Sequence, residues 1–147
     1  MKENTIALIP AQGYCPEEKQ SIKVLQWLKY IEFKDHISIQ HARNGGEKKV
    51  GDYKLDGFYE SETEPVAFEF HGCFWHGCPK CYSRSTVNTV NKRTMEELYQ
   101  ATLTKQKYLE DKGFIYKCIW ECEWEKLVNV TPGLEDFVSH VKVEKQL

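Results

Sequence analysis

Residues 65–82 read PVAFEFHGCFWHGCPKCY. The first part, Pro65 to His71, is dense in β-branched and aromatic residues and predicts a β-strand. Glu69 stands between Phe68 and Phe70, which mark this strand as the central one of a sheet. From Gly72 to Tyr82 the composition shifts to Gly, Cys and His, which predicts a metal-binding loop. Cys73, Cys78 and Cys81 follow the spacing C-x4-C-x2-C. The pair in Cys78-Pro79-Lys80-Cys81 is a knuckle of the kind that grips Zn²⁺. A tetrahedral structural site needs a fourth ligand. Cys122, in Trp120-Glu121-Cys122, is the first choice, with Cys118 and His76 as alternatives. A redox-active CxxC ordinarily opens a helix in a thioredoxin-like layout, which is absent here. Cys15 and Cys118 read as plain thiols.

Working outward, Tyr53 to Glu60 predicts a strand joined to this one by a tight link at Ser61 to Glu64. Residues 37–42 alternate and predict another strand, closed by the turn residues Asn44-Gly45-Gly46. Residues 17–33 place Ile22, Val24, Leu25, Trp27, Leu28 and Ile31 at helical spacing. Residues 83–90 are polar and read as a mobile loop. Residues 91–112 predict a second helix, with Met95, Leu98, Thr102, Tyr108 and Leu109 on one side and Gly113 as its stop. Residues 114–120 predict a fourth strand and residues 134–143 a last helix. Residues 1–16 read as a loose lead-in and 17–147 as a single domain. The order α-β-β-β-α-β-α predicts an α/β fold, a mixed sheet flanked by helices.

Asp56 and Glu69 fall on the two strands of the expected hairpin. Carboxylates on strands more often just face solvent. Two brought together repel unless a cation lies between them. Mg²⁺ (or Mn²⁺) suits such a pair, because it takes oxygen ligands and keeps waters for chemistry. His71 shares a strand face with Glu69, two residues on. It is placed to orient or deprotonate a water, and the Phe70 carbonyl faces the same region. His76, between this pair and the knuckle, reads equally as a catalytic or as a structural residue.

The chain has 147 residues, is 41% hydrophobic and carries six cysteines and a net charge of −2. That is enough for a core, and the charge does not announce a nucleic-acid partner. No apolar run is long enough to span a membrane, and the first residues lack a signal-peptide layout. The expectation is a soluble intracellular protein, nuclear or cytoplasmic depending on its host. There, close-spaced cysteines point to metal rather than to disulfides.

The run His71-Gly-Cys-Phe-Trp-His76, with Gly113-Phe114 and Trp120-Glu121-Cys122, resembles the very-short-patch repair (Vsr) endonucleases of the PD-(D/E)XK superfamily. The likeness spans about residues 17 to 125. It implies a restriction-endonuclease-like core and a divalent-metal phosphodiesterase with a structural zinc. The family's metal-binding Asp corresponds to Asp56 and its active-site histidines to His71 and His76. Its zinc ligands correspond to Cys73, Cys78, a residue near Cys81, and Cys122, which favours Cys122 over Cys118. Glu69 adds the acidic member of the wider superfamily pattern, and His71 takes the place of the usual Lys. The family's acidic residue of the first helix falls within Glu17-Glu18-Lys19-Gln20-Ser21. Specificity for T:G mismatches is not carried over. The run Gln40 to Glu47, with Leu55-Asp56-Gly57-Phe58, is also similar to nuclease-like domains of Polinton/Maverick-type mobile elements and large DNA viruses. That likeness implies Gln40 and Glu47 near the active site, with an exposed loop role as the equal alternative. It also implies a polymerase or transposase of the same element as a partner.

The expectation is therefore a metal-dependent DNA endonuclease, nicking or structure-specific, acting in mobile-element or viral DNA processing or repair. Asp56, Glu69 and the Phe70 carbonyl would hold Mg²⁺, with His71 and His76 handling protons. Lys92, Arg93 and Arg84 are the foremost phosphate contacts. Lys48, Lys49, Lys54, Lys80, Lys105 and Lys107 are further candidates. A catalytically weak zinc-bearing DNA-binding module attached to a polymerase or transposase is the alternative. A zinc-held protein-interaction domain is the third reading.

Overall fold

Strand β5 (Pro65–His71) is buried on both faces, and the fold is laid down around it. The computed structural model describes residues 6–7 and 16–141, with side chains described from residue 22 onward. Strand β4 (Gly57–Glu60) runs antiparallel to β5, pairing Gly57 with Phe68 and Glu60 with Pro65. Strand β7 (Ile115–Trp120) runs parallel along the other edge, from Val66 beside Ile115 to His71 beside Trp120. The result is a mixed three-stranded sheet in the order β4-β5-β7.

Alternation along β5 sorts its side chains between two layers. Val66, Phe68 and Phe70 pack against Trp27, Leu28 and Ile31 of α1 (Pro16–Asp35). Trp124 of α4 (Glu121–Val130) and Leu134 of α5 (Leu134–Ser139) complete that layer. The Trp27 ring meets Phe68 edge-on with centroids 6.1 Å apart. Leu28 and Phe68 are fully buried, and each such side chain contributes about 1.5–3 kcal/mol. Ala67 faces the other layer, with Leu55 and with Leu109 of α3 (Met95–Asp111). Glu69 and His71 point to this second side, where α3 covers them.

Several expected elements are altered. Residues 37–42 do not form a strand. Only Gln40 pairs, with Phe58, through bonds of 2.8 and 2.9 Å. The Asn44 side chain accepts from His41 N–H at 2.7 Å and donates to Ile39 O at 2.8 Å. These local bonds fold the segment into a turn instead of a ladder. The strand expected over 53–60 is broken in two. β3 (Tyr53–Lys54) pairs with β2 (Lys49–Val50) in a separate hairpin, and β4 starts only at Gly57. Asp56 sits at the break, because its N–H bonds the Glu69 carboxylate at 2.9 Å rather than a neighbouring strand.

Residues 83–90 are ordered, not loose. Asn88 is buried, donates to Phe74 O at 2.9 Å and accepts from Val90 N–H at 2.8 Å. Strand β6 (Val87–Asn88) pairs in parallel with β1 (Ile6–Ala7), inside the stretch read as a lead-in. Helix α3 starts at Met95 rather than residue 91. Thr94 caps it in a reciprocal box with Glu97, and Lys92 ahead of it takes a left-handed φ of 64°. Helix α5 ends at Ser139, short of residue 143. Cys15 lies outside the described residues, as do the side chains of Glu17 to Ser21. No described helix is long and apolar enough to cross a membrane.

Candidate metal centre and acidic cleft

The turn after β5 carries the cysteines. Gly72 leads into a single helical turn, α2 (Cys73–His76), which Gly77 ends with φ 71°. A Cβ at Gly77 would lie 2.1 Å from Met95 O, so only glycine lets this turn rest against the start of α3. The chain then doubles back through Cys78 and Cys81. Helix α4 begins one residue before Cys122, because Glu123 accepts the Trp120 N–H at 2.9 Å. Cys122 is thereby brought onto the knuckle. The Sγ atoms of Cys73, Cys78, Cys81 and Cys122 all lie within 4.8 Å of one another. Of the alternatives, Cys118 is exposed on β7. His76 turns its Nδ1 to Thr102 at 3.2 Å.

The donor set fits a metal such as zinc. Burial pushes the Cys73 thiol up, and it pushes Cys81 to about 12. Cys78 is lowered despite burial, because the backbone N–H groups of Lys80 and Cys81 point at its sulfur. Four sulfurs this close cannot all be thiolates unless a cation neutralises them. Arg84, an expected phosphate contact, turns its guanidinium to the knuckle. Its Nη2 donates to Gly77 O, Cys78 O and Tyr82 O, each at 3.0 Å. Its guanidinium also lies over Tyr99.

Between α1, the Asp56 break, the end of β5 and Lys105 of α3 lies a cleft of about 430 Å³. Asp56 and Glu69 form its acidic centre and are tied to each other's backbone. Glu69 accepts from Asp56 N–H at 2.9 Å, and Asp56 accepts from Phe70 N–H at 2.8 Å. Both carboxyls are pushed up. For Asp56, burial and the neighbouring Glu69 outweigh the Phe70 N–H and raise it to about 7. For Glu69, burial outweighs Lys105. Lys105 of α3 pairs with Glu69 and donates to Lys54 O at 2.8 Å. The cleft is thus lined by three acidic groups, Glu47, Asp56 and Glu69, and by two cations, Arg43 and Lys105, and the crowded oxygen donors of Asp56 and Glu69 fit a hard divalent ion.

The two histidines differ in access. His76 lines the cleft. His71 is buried behind it, bonded to the Tyr116 hydroxyl at 3.0 Å, its ring tilted against those of His76 and Trp120 with centroids 5.0 and 4.9 Å away. Burial lowers His71 to about 3 and His76 to about 4, so both are neutral near pH 7. The Thr102 hydroxyl donates to Leu98 O at 3.0 Å. It therefore accepts from His76 Nδ1–H, which leaves His76 Nε2 free to take a proton.

Glu47, exposed in its loop, also lines the cleft, whereas Gln40 turns to Gly46 O at 2.9 Å. Lys92 and Arg93 lie in the exposed turn before α3. Lys105 was only one of many lysines in the sequence. Its pairing with Glu69 joins positions 36 apart, and no local pattern announces it. Arg43, His41 and Trp75 also line the cleft and were not singled out. Comparison of the chain with protein-family models, curated proteins and solved structures finds no match.

Proposed function

We propose that this chain is a divalent-metal-dependent DNA endonuclease with a restriction-endonuclease-like core and a structural zinc. The observation that carries the reading is the crowded Asp56–Glu69 pair, opening on a cleft with Lys105 beside it. A carboxyl raised to about 7 by burial and a second carboxyl is a site in need of a cation. Mg²⁺ or Mn²⁺, held by Asp56 and Glu69, would supply Lewis acidity and a more acidic water. Lys105 offsets negative charge on the phosphate. His76 Nε2, neutral and in the cleft wall, accepts the proton of the attacking water. His71 is a positioning residue, packed behind His76. The Cys73–Cys78–Cys81–Cys122 site fixes the turn that carries His76.

The likeness to mobile-element and viral nuclease domains supports DNA processing or repair as the setting. A polymerase or transposase of the same element is the partner it suggests. The test uses end-labelled single-stranded, duplex, mismatched and four-way-junction DNA in Mg²⁺ or Mn²⁺. Cleavage blocked by EDTA and lost in Glu69→Ala is the expected result. Binding without cleavage of any substrate would point instead to a zinc-bearing DNA-binding module.

A further inference from the structure

Two halves of the cleft differ in chemistry. One carries Asp56, Glu69 and Lys105. The other is walled by Val24, Leu25 and Leu28 of α1, which bring no polar group. A phosphodiester is charged and strongly hydrated and gains nothing from such a wall. His41 lines the same cleft and is 4% exposed. Its Nδ1 accepts from Arg43 N–H at 3.1 Å, which leaves the ring proton on Nε2. That Nε2 is the one buried side-chain N or O without a hydrogen-bond partner among the described residues. A buried donor left unmet costs about 1–3 kcal/mol. His41 is thus a cleft-lining residue with one hydrogen bond still to make.

We propose that the α1 side of the cleft takes one unpaired nucleobase, with His41 Nε2–H donating to an acceptor on the base edge. This rests on the nuclease reading and names its substrate class, DNA with an unpaired nucleotide at or beside the cleaved bond. A duplex keeps its base faces stacked, so only a base out of the stack can cover an apolar wall. The whole cleft, about 430 Å³, falls in the range of pockets that take a small-molecule ligand, about 300–1,000 Å³.

The experiment measures binding by zinc-loaded protein in Ca²⁺, which separates binding from cleavage. Three probes are compared: a matched duplex, the same duplex with one unpaired 2-aminopurine, and the same with an abasic residue there. The unpaired base should bind about tenfold more tightly than either other probe, with a change in 2-aminopurine fluorescence. His41→Phe should remove that preference, and His41→Gln, which keeps an N–H donor, should restore it. Unchanged melting temperatures check that both variants fold. Equal affinity for abasic and unpaired-base DNA, or a preference that survives His41→Phe, would overturn the proposal. Binding with base preference but no cleavage in Mg²⁺ supports it and defeats only the nuclease reading. Failure to bind any DNA overturns both.

Discussion

Asp56 and Glu69 hold each other through the backbone, so the break at Asp56 places Glu69 and strand β5 places Asp56. Two predictions follow from their crowding. Folded Asp56 keeps its proton up to about pH 7, whereas an unfolded Asp releases it near 3.8. The folded chain therefore binds more protons across that window. Its contribution to stability is full below about 3.8 and is lost as pH rises through about 7. In zinc-loaded, Mg²⁺-free protein, the melting temperature should fall from about pH 5 to about pH 8 more steeply than in Asp56→Asn. Added Mg²⁺ should restore stability chiefly at the alkaline end. His71 and His76 act with the opposite sign. Their lowered values favour the folded state above about 6.5, an advantage lost on acidification. Comparing wild type with Asp56→Asn separates the two. Lys105→Met leaves Glu69 buried without its cation. Its cost in a denaturant melt should be about 1–3 kcal/mol, reduced because Lys105 is partly exposed. Cleavage should fall about a hundredfold or more.

At the scale of elements, the turn from β5 through α2 joins the two candidate centres. Gly77→Ala forces a side chain against Met95 O from a left-handed backbone. Its expected cost is about 3 kcal/mol, with loss of bound zinc measured by elemental analysis. Cys78→Ser should abolish the thiolate bands of the Co²⁺-substituted protein, whereas Cys118→Ser should leave them intact. Elements made by local pattern were legible. Pro65 to His71 carries its own β-propensity and burial, and α1 and α3 show their apolar spacing. Residues 37–42 misled because Asn44 folds them from the side, which strand propensity does not register. Helix α4 carries Trp124, Leu127 and Val128 at helical spacing, a short pattern that the adjoining Trp120-Glu121-Cys122 motif overlaps. The break at Asp56 is a tertiary effect, made by a carboxylate thirteen positions away.

For the whole molecule, the sheet divides the labour. One face is sealed by aromatic packing under α1, α4 and α5. The other gives up apolar contact at Glu69 and His71, where a stability-driven sequence would place aliphatic residues. The cysteine site was legible because its ligands lie mostly in one loop. The cleft was legible only in part, because Lys105, His41 and Arg43 join Asp56 and Glu69 solely through the fold. The proposed nuclease rests on this acidic pair being a built cation site. The most direct measurement is Mn²⁺ binding by zinc-loaded protein, followed by electron paramagnetic resonance or calorimetry. Saturable Mn²⁺ binding is expected, competed by Mg²⁺, weakened strongly by Asp56→Asn or Glu69→Gln and retained in His41→Phe. No saturable binding, or binding indifferent to Asp56 and Glu69, would contradict it.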